Sequence, residues 1–180
     1  QLATDVVFGE LEEFVPGATE PETGDVVINS ATLVLSDNII MKYNVTVPEN
    51  AENVYMTFDF CGETYVVTDY TPADNGRYSF SFDGINPQRM GENICATLYA
   101  TVNGQQVTDC VAEYSLRTYC IKTLAKNPDQ KTATLISDLL VYGAKTQICT
   151  GYKTDELVTD GLDLTPSTFT ALDASSDKMS

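Results

Sequence analysis

Ile39-Ile40-Met41-Lys42-Tyr43-Asn44-Val45-Thr46-Val47 is the stretch whose reading decides the fold. Ile39, Met41, Tyr43, Val45 and Val47 point one way, while Ile40, Lys42, Asn44 and Thr46 point the other. A period of two means a strand with one face in a core. Upstream, across the turn Ser36-Asp37-Asn38, Leu33 and Leu35 share one face. Downstream, Met56, Phe58 and Phe60 alternate with Thr57 and Asp59. The turn Cys61-Gly62-Glu63 then leads back through Tyr65 and Val67 as a hairpin. Tyr78, Phe80 and Phe82 alternate with Ser79, Ser81 and Asp83. Ile94 to Val102 is a further strand, and Asn103-Gly104 turns it into Gln105 to Ala112, because this dipeptide accepts the positive φ angles of a two-residue hairpin. About seven half-apolar strands over residues 26–112 predict two sheets packed face to face, an Ig-like antiparallel β-sandwich.

The period then lengthens. Ser115 caps a helix from Leu116 to about Lys126, stopped by Asn127-Pro128, with Leu116, Tyr119, Cys120, Thr123 and Leu124 on one face. Asp129 caps a second helix through Gln147, in which Leu135, Ile136, Leu139, Leu140, Tyr142 and Gly143 form an apolar stripe. Gly143-Ala144 leaves a small surface open to close approach. The class is therefore α+β, with a helical hairpin over residues 113–150 packed on the sandwich. Beyond Tyr152 the pattern weakens, and Leu157, Leu162, Leu164 and Phe169 are expected to pin a partly docked, extended acidic tail over 151–180.

The 180 residues carry a net charge of −16, from 26 acidic and 10 basic groups. Such a chain repels phosphate backbones and anionic lipid, so neither nucleic acid nor a membrane surface is an expected partner. No apolar run is long enough to span a bilayer. The acids crowd the flanks. Residues 1–25 hold Asp5, Glu10, Glu12, Glu13, Glu20, Glu22 and Asp25 without a Lys or Arg, and read as an acidic linker. Within it, Pro21-Glu22-Thr23-Gly24 matches part of a cell-wall sorting signal but lacks the leading Leu and the apolar tail. Gln1-Leu2-Ala3 has neither the charged nor the apolar region of a signal peptide, so a secreted chain of this kind is expected to have lost its leader.

The chain contains no histidine. Ser-His-Asp and Cys-His nucleophiles and His-containing metal sites are thereby excluded in their usual forms. The glycines are scattered among turns and build no phosphate loop. A two-carboxylate glycosidase would have to draw on Asp59, Glu63, Asp69, Asp74 and Asp83, which sit at strand edges and turns where solvated acids are expected. The chain is accordingly read as non-enzymatic, with no catalytic residue, no cofactor and no metal site. Ca²⁺ at the turn cluster Asp69, Asp74 and Asn75 is an alternative without EF-hand spacing.

The five cysteines, Cys61, Cys95, Cys110, Cys120 and Cys149, lack the short paired spacings of a zinc site, and their odd number leaves at least one thiol unpaired within the chain. With Asn103-Gly104 as the turn, Cys95 faces Ala112 and Cys110 faces Thr97. The two cysteines are then diagonal neighbours on one sheet face, a disulfide between them being open but not favoured. Ten tyrosines accompany an absence of tryptophan. Tyr55, Tyr65, Tyr70, Tyr78 and Tyr99 are the candidate ligand-binding residues, since carbohydrate-binding sandwiches stack sugars on exposed aromatic rings. The same residues also suit strands for their own sake.

Leu35-Ser-Asp-Asn-Ile-Ile-Met-Lys-Tyr43, Tyr78-Ser-Phe-Ser-Phe82, Met90-Gly-Glu-Asn-Ile-Cys-Ala-Thr-Leu-Tyr-Ala100, Glu113-Tyr-Ser-Leu-Arg-Thr-Tyr-Cys120 and Leu135-Ile-Ser-Asp-Leu-Leu-Val-Tyr-Gly-Ala-Lys-Thr-Gln147 follow in order. Across residues 28–165 this succession resembles a recurring extracellular module of large surface and secreted proteins of gut Firmicutes, of the Ruminococcus and Clostridiales type. The resemblance implies a Gram-positive cell-surface or secreted location, neighbouring domains in the same chain, sparing use of disulfides and an accessory role. It brings no catalytic residues. The leading reading is a non-catalytic binding or adhesion module for a host protein, immunoglobulin or mucin among them, or for a glycan. A structural spacer and a carbohydrate-binding module of a glycan-degrading enzyme are the alternatives.

Overall fold

A computed structural model describes residues 6–7, 25–72 and 77–167. Its strands are β1 (Val6–Val7), β2 (Val27–Leu35), β3 (Ile39–Thr46), β4 (Glu52–Phe60), β5 (Glu63–Val67), β6 (Thr71–Pro72), β7 (Arg77–Phe82), β8 (Ile94–Val102) and β9 (Gln105–Tyr114). They form two antiparallel sheets, a first in the order β1-β2-β3-β7-β6 and a second in the order β5-β4-β8-β9. Helices α1 (Leu116–Ala125) and α2 (Gln130–Thr150) follow, so the fold is α+β.

The alternation along β3 does what its period requires: Met41, Tyr43 and Val45 are fully buried, and Val47 beyond the strand is nearly so. They meet the second sheet through rings. Phe58 of β4 lies 5.1 Å from Tyr43 and 5.0 Å from Phe82 of β7, measured between ring centroids. Phe60 meets Phe82 edge-on at 5.5 Å. These offset and edge contacts are the geometries that the ring quadrupoles favour.

Strand β2 departs from simple alternation. Val26 and Ile28 are buried, and then Ala31 and Leu33 are, so the parity changes within the strand. The cause is a bulge, seen as a register shift between Ile28 and Ser30 against β3. One extra residue moves every later side chain to the opposite face. The Ile28 amide donates to Asp109 Oδ2 of β9 at 2.8 Å, so a carboxylate of the second sheet satisfies a donor on the bulged strand of the first. On the outer side of the first sheet, Asn44 donates to Ser30 at 3.0 Å and accepts from Ser79 at 2.8 Å, a polar rung across three strands.

Both two-residue hairpins have left-handed turn residues. Asn103 and Gly104 adopt φ of 51° and 77°, and Cys61 and Gly62 adopt 53° and 84°. Ser115 and Asp129 cap α1 and α2, accepting from the amides of Thr118 at 3.0 Å and Thr132 at 2.7 Å. Leu116, Tyr119 and Cys120 of α1 and Ile136, Leu139, Leu140 and Ala144 of α2 join the same core as the strands. The Tyr119 phenol is also hydrogen-bonded to the backbone at Leu33, which ties α1 to β2. Burial pushes the Cys120 thiol up to about 12, so it packs as a small apolar group. Gly143 abuts a 3-10 turn at Pro87–Arg89: a Cβ there would lie 3.1 Å from the Pro87 carbonyl oxygen.

The Asp109 link yields a test. Asp109→Ala leaves the Ile28 amide without its acceptor and is expected to cost about 1–3 kcal/mol, read as a lower urea midpoint at unchanged slope. Asp109→Asn, which keeps an acceptor oxygen, is expected to recover most of that loss.

Candidate functional site

Register decides which side chains share the solvent face of the second sheet. Thr57 stands opposite Val66 on one side and Thr97 on the other, and Thr97 stands opposite Cys110. Tyr55 stands opposite Tyr99, which stands opposite Thr108. Asp59 stands opposite Thr64 and Cys95. Their sequence neighbours Met56, Phe58, Ala96 and Leu98 are fully buried, so these rows face outward. The four strands contain no Lys or Arg. The result is a face of hydroxyls, two stacked phenol rings, a pair of thiols, the Asp59 carboxylate and Val66, which is 62% exposed.

The five candidate tyrosines divide between two places. Tyr55 and Tyr99 stack on the outer face, with centroids 4.7 Å apart and planes 7° from parallel. Tyr65 meets Phe82 edge-on at 5.3 Å, and its hydroxyl donates to Glu63 at 3.0 Å. Tyr70 packs on Tyr78 at 4.9 Å and on Phe80 at 5.7 Å. Tyr78 belongs to the inward row of β7, paired with buried Val45. Tyr65, Tyr70 and Tyr78 therefore lean on core rings at the margin of the sandwich-like pair of sheets, and only Tyr55 and Tyr99 form a pair on the open face.

The acids are dispersed. Asp59 accepts from the Thr64 hydroxyl at 2.5 Å, Asp69 and Asp83 are exposed, and the Asp74 and Asn75 of the calcium alternative lie outside the described residues. Among the described residues, no group of three or more His, Cys, Asp or Glu is placed to hold a metal ion. No helix among them is long and apolar enough to cross a membrane.

A cavity lies where α2 ends. Gln147, 2% exposed, donates from Nε2 to the Lys153 and Glu156 carbonyls and accepts at Oε1 from the Val158 amide, the last two bonds at 2.9 Å. Arg117 of α1 donates to the Val158 and Asp160 carbonyls at 2.9 and 2.8 Å. These contacts fold residues 151–161 into successive turns around a cavity of about 310 Å³ lined by Gln88, Glu92, Arg117, Gln147, Tyr152 and Lys153 among others. At its rim Glu92 accepts from the Tyr152 hydroxyl at 2.8 Å and pairs with Lys153. Partial burial pushes the Glu92 carboxyl up, but the hydrogen bonds from Lys153 and Tyr152 outweigh it and hold the group below its ordinary value. Gln147 and Arg117 give no sequence signal of this role, because their partners are backbone atoms 6 to 43 residues away.

Gln147→Ala removes one acceptor and two donors from a buried site. It is expected to cost about 2–3 kcal/mol and to speed hydrogen exchange at the Val158 amide. The lowered Glu92 carboxyl contributes stability that is full above its ordinary value of 4.5 and is lost as pH falls through the folded-state value. Because its partner Lys153 is exposed and solvent screens the pair, the gain is under about 1 kcal/mol. Glu92→Gln is expected to flatten the stability profile below that pH, with little change in its shape at higher pH.

Comparison with known proteins finds no matching family model, no matching curated protein and no matching solved structure.

Proposed function

We propose that this chain is a non-catalytic binding module of an extracellular, cell-surface or secreted bacterial protein, and that the outer face of its second sheet receives a neutral glycan. The observation that carries this reading is the stacked pair Tyr55–Tyr99, set among Thr57, Thr97 and Thr108 on a sheet without a cation. Phenol rings offer apolar surface with a polar edge, and threonine hydroxyls both donate and accept. A sugar chain needs that combination. A polyanion would meet Asp59 and Glu63 with no compensating charge, which disfavours sulfated glycans and nucleic acid. In the fuller architecture the two sheets form an Ig-like sandwich, and α1 and α2 form a hairpin that closes its core as a third layer. The motif succession from Leu35 to Gln147 supports the placement among surface modules of gut Firmicutes.

The test is the full chain on an array of neutral and acidic glycans, alongside immunoglobulins and mucins. Retention by neutral glycans is expected, falling at least tenfold in the variant Tyr55→Ala/Tyr99→Ala while the melting temperature of that variant stays within a few degrees of the parent. Binding to a host protein that survives the double substitution would move the site off this face. Absence of binding to every probe would leave the spacer reading in its place.

A further inference from the structure

We propose that Cys95 and Cys110 are a redox couple, closing reversibly to a cross-strand disulfide that locks β9, an edge strand of the second sheet, to β8. The two Sγ atoms lie 3.7 Å apart on the outer face. The arrangement differs from a simple hairpin. Thr97 pairs with Cys110, as a two-residue turn at Asn103-Gly104 requires, but the register shifts between Ile94 and Ala96, so that Ile94 meets Tyr114. The shift falls at Cys95. The extra residue belongs to β9, so Ala112 and Glu113 together stand opposite Cys95, and Cys95 and Cys110 remain diagonal neighbours whose side chains bring the sulfurs within 3.7 Å.

The two thiols are unlike in access, and this gives the chemistry an order. Cys110 is exposed, whereas Cys95 is half-buried beside Asp59. Burial, the hydrogen bond with Cys110 and the nearby charges raise the Cys95 thiol, and the exposed Cys110 is the sulfur an oxidant reaches first. The oxidant is a small-molecule disulfide. The Cys110 thiolate attacks one of its sulfurs, forming a mixed disulfide and releasing one thiolate. Cys95 then gives its proton to solvent, and its sulfur attacks the Cys110 sulfur, breaking the mixed disulfide and releasing the second thiolate. Two protein thiols are oxidised by two electrons, and the small disulfide is reduced to two thiols. An outward-facing bond of this kind is open to the reverse exchange, and exposed disulfides are the labile ones. Such reversibility is compatible with a chain that carries few permanent bridges. The three remaining thiols supply controls: Cys61 and Cys149 are exposed without a neighbouring thiol in contact, and Cys120 is buried.

The full chain treated with oxidised glutathione, alkylated and cleaved before Asp109 separates Cys95 from Cys110 unless a bond joins them. The expected result is a joined Cys95–Cys110 pair that reductant releases, with glutathione adducts on Cys61 and Cys149. Cys95→Ser is expected to arrest Cys110 as its glutathione adduct. Wild-type Cys110 carrying glutathione beside an alkylated Cys95 would overturn the proposal, as would Cys110 joined to Cys61 or to a second chain.

Discussion

Phe58 stands between Tyr43 and Phe82, about 5 Å from each ring, and the two sheets are held at the spacing these three rings set. All three are essentially inaccessible to solvent. Face-to-face sheets need side chains about 10 Å deep between them, and aromatic residues fill that depth with little conformational entropy to lose. The same spacing leaves open margins wherever strands end. Tyr70 meets Tyr78 edge-on and Phe80 at a tilt at one margin, and Tyr65 meets Phe82 edge-on at another. Leu116, Tyr119 and Cys120 enter the core immediately beyond the end of β9. Tyr65 and Tyr70 thus keep exposed edges while leaning on core rings, whereas the half-exposed Tyr55 and Tyr99 stack on each other across the outer face.

A second constraint is the satisfaction of backbone groups outside regular structure. The turns after α2 contribute no ladder, and their carbonyls and amides would go unpaired against the helix. Gln147 meets three of these groups, and Arg117 meets two more from α1. A glutamine has donors and an acceptor at one end of a flexible stem, so a single buried residue organises both senses of backbone dipole. Glu92, Tyr152 and Lys153 then sit over a surface that is already fixed. The cavity there follows from a structural device, and its lining mixes cations with carboxylates, without the single sign that would select a charged ligand.

The strands, hairpins and helix caps were legible because each depends on a few adjacent residues. The alternation of Met41, Tyr43 and Val45, the Asn103-Gly104 turn and the caps Ser115 and Asp129 all carry their signal locally. What was not legible depends on register. A period-two reading carried through Ile28-Asn29-Ser30 puts Ala31 and Leu33 on the wrong side, because the bulge at Asn29 is invisible without the partner strand. Cys95 was expected opposite Ala112 and diagonal to Cys110; the sulfurs are indeed 3.7 Å apart, but a bulge on β9 sets Glu113 beside Ala112 opposite Cys95, and that extra residue gives no local signal. The grouping of five tyrosines as one candidate surface split for the same reason: neighbours across a sheet are fixed by pairing, which residue type does not encode. Residues 151–161, expected as part of an extended tail, form turns through contacts of Gln147 and Arg117 with backbone atoms up to 43 residues away, which no local pattern announces.

The distribution of charge bears on the two unpaired edges of the second sheet, β5 and β9. Edge strands are commonly protected by lysine or proline, since either disfavours addition of another strand. Neither β5 nor β9 contains a Lys or Pro. Protection here takes other forms. β5 is only five residues long, with Glu63 at its start. β9 is interrupted by the register shift near Val111, and it carries Asp109 and Glu113. None of the four strands contains a Lys or Arg, so two copies approaching edge to edge would bring strand carboxylates together without a strand cation between them. A neutral, hydroxyl-rich ligand meets no such repulsion. The same want of cations that sets carboxylates against one another at the edges disfavours anions on the face, so one feature of composition bears on both.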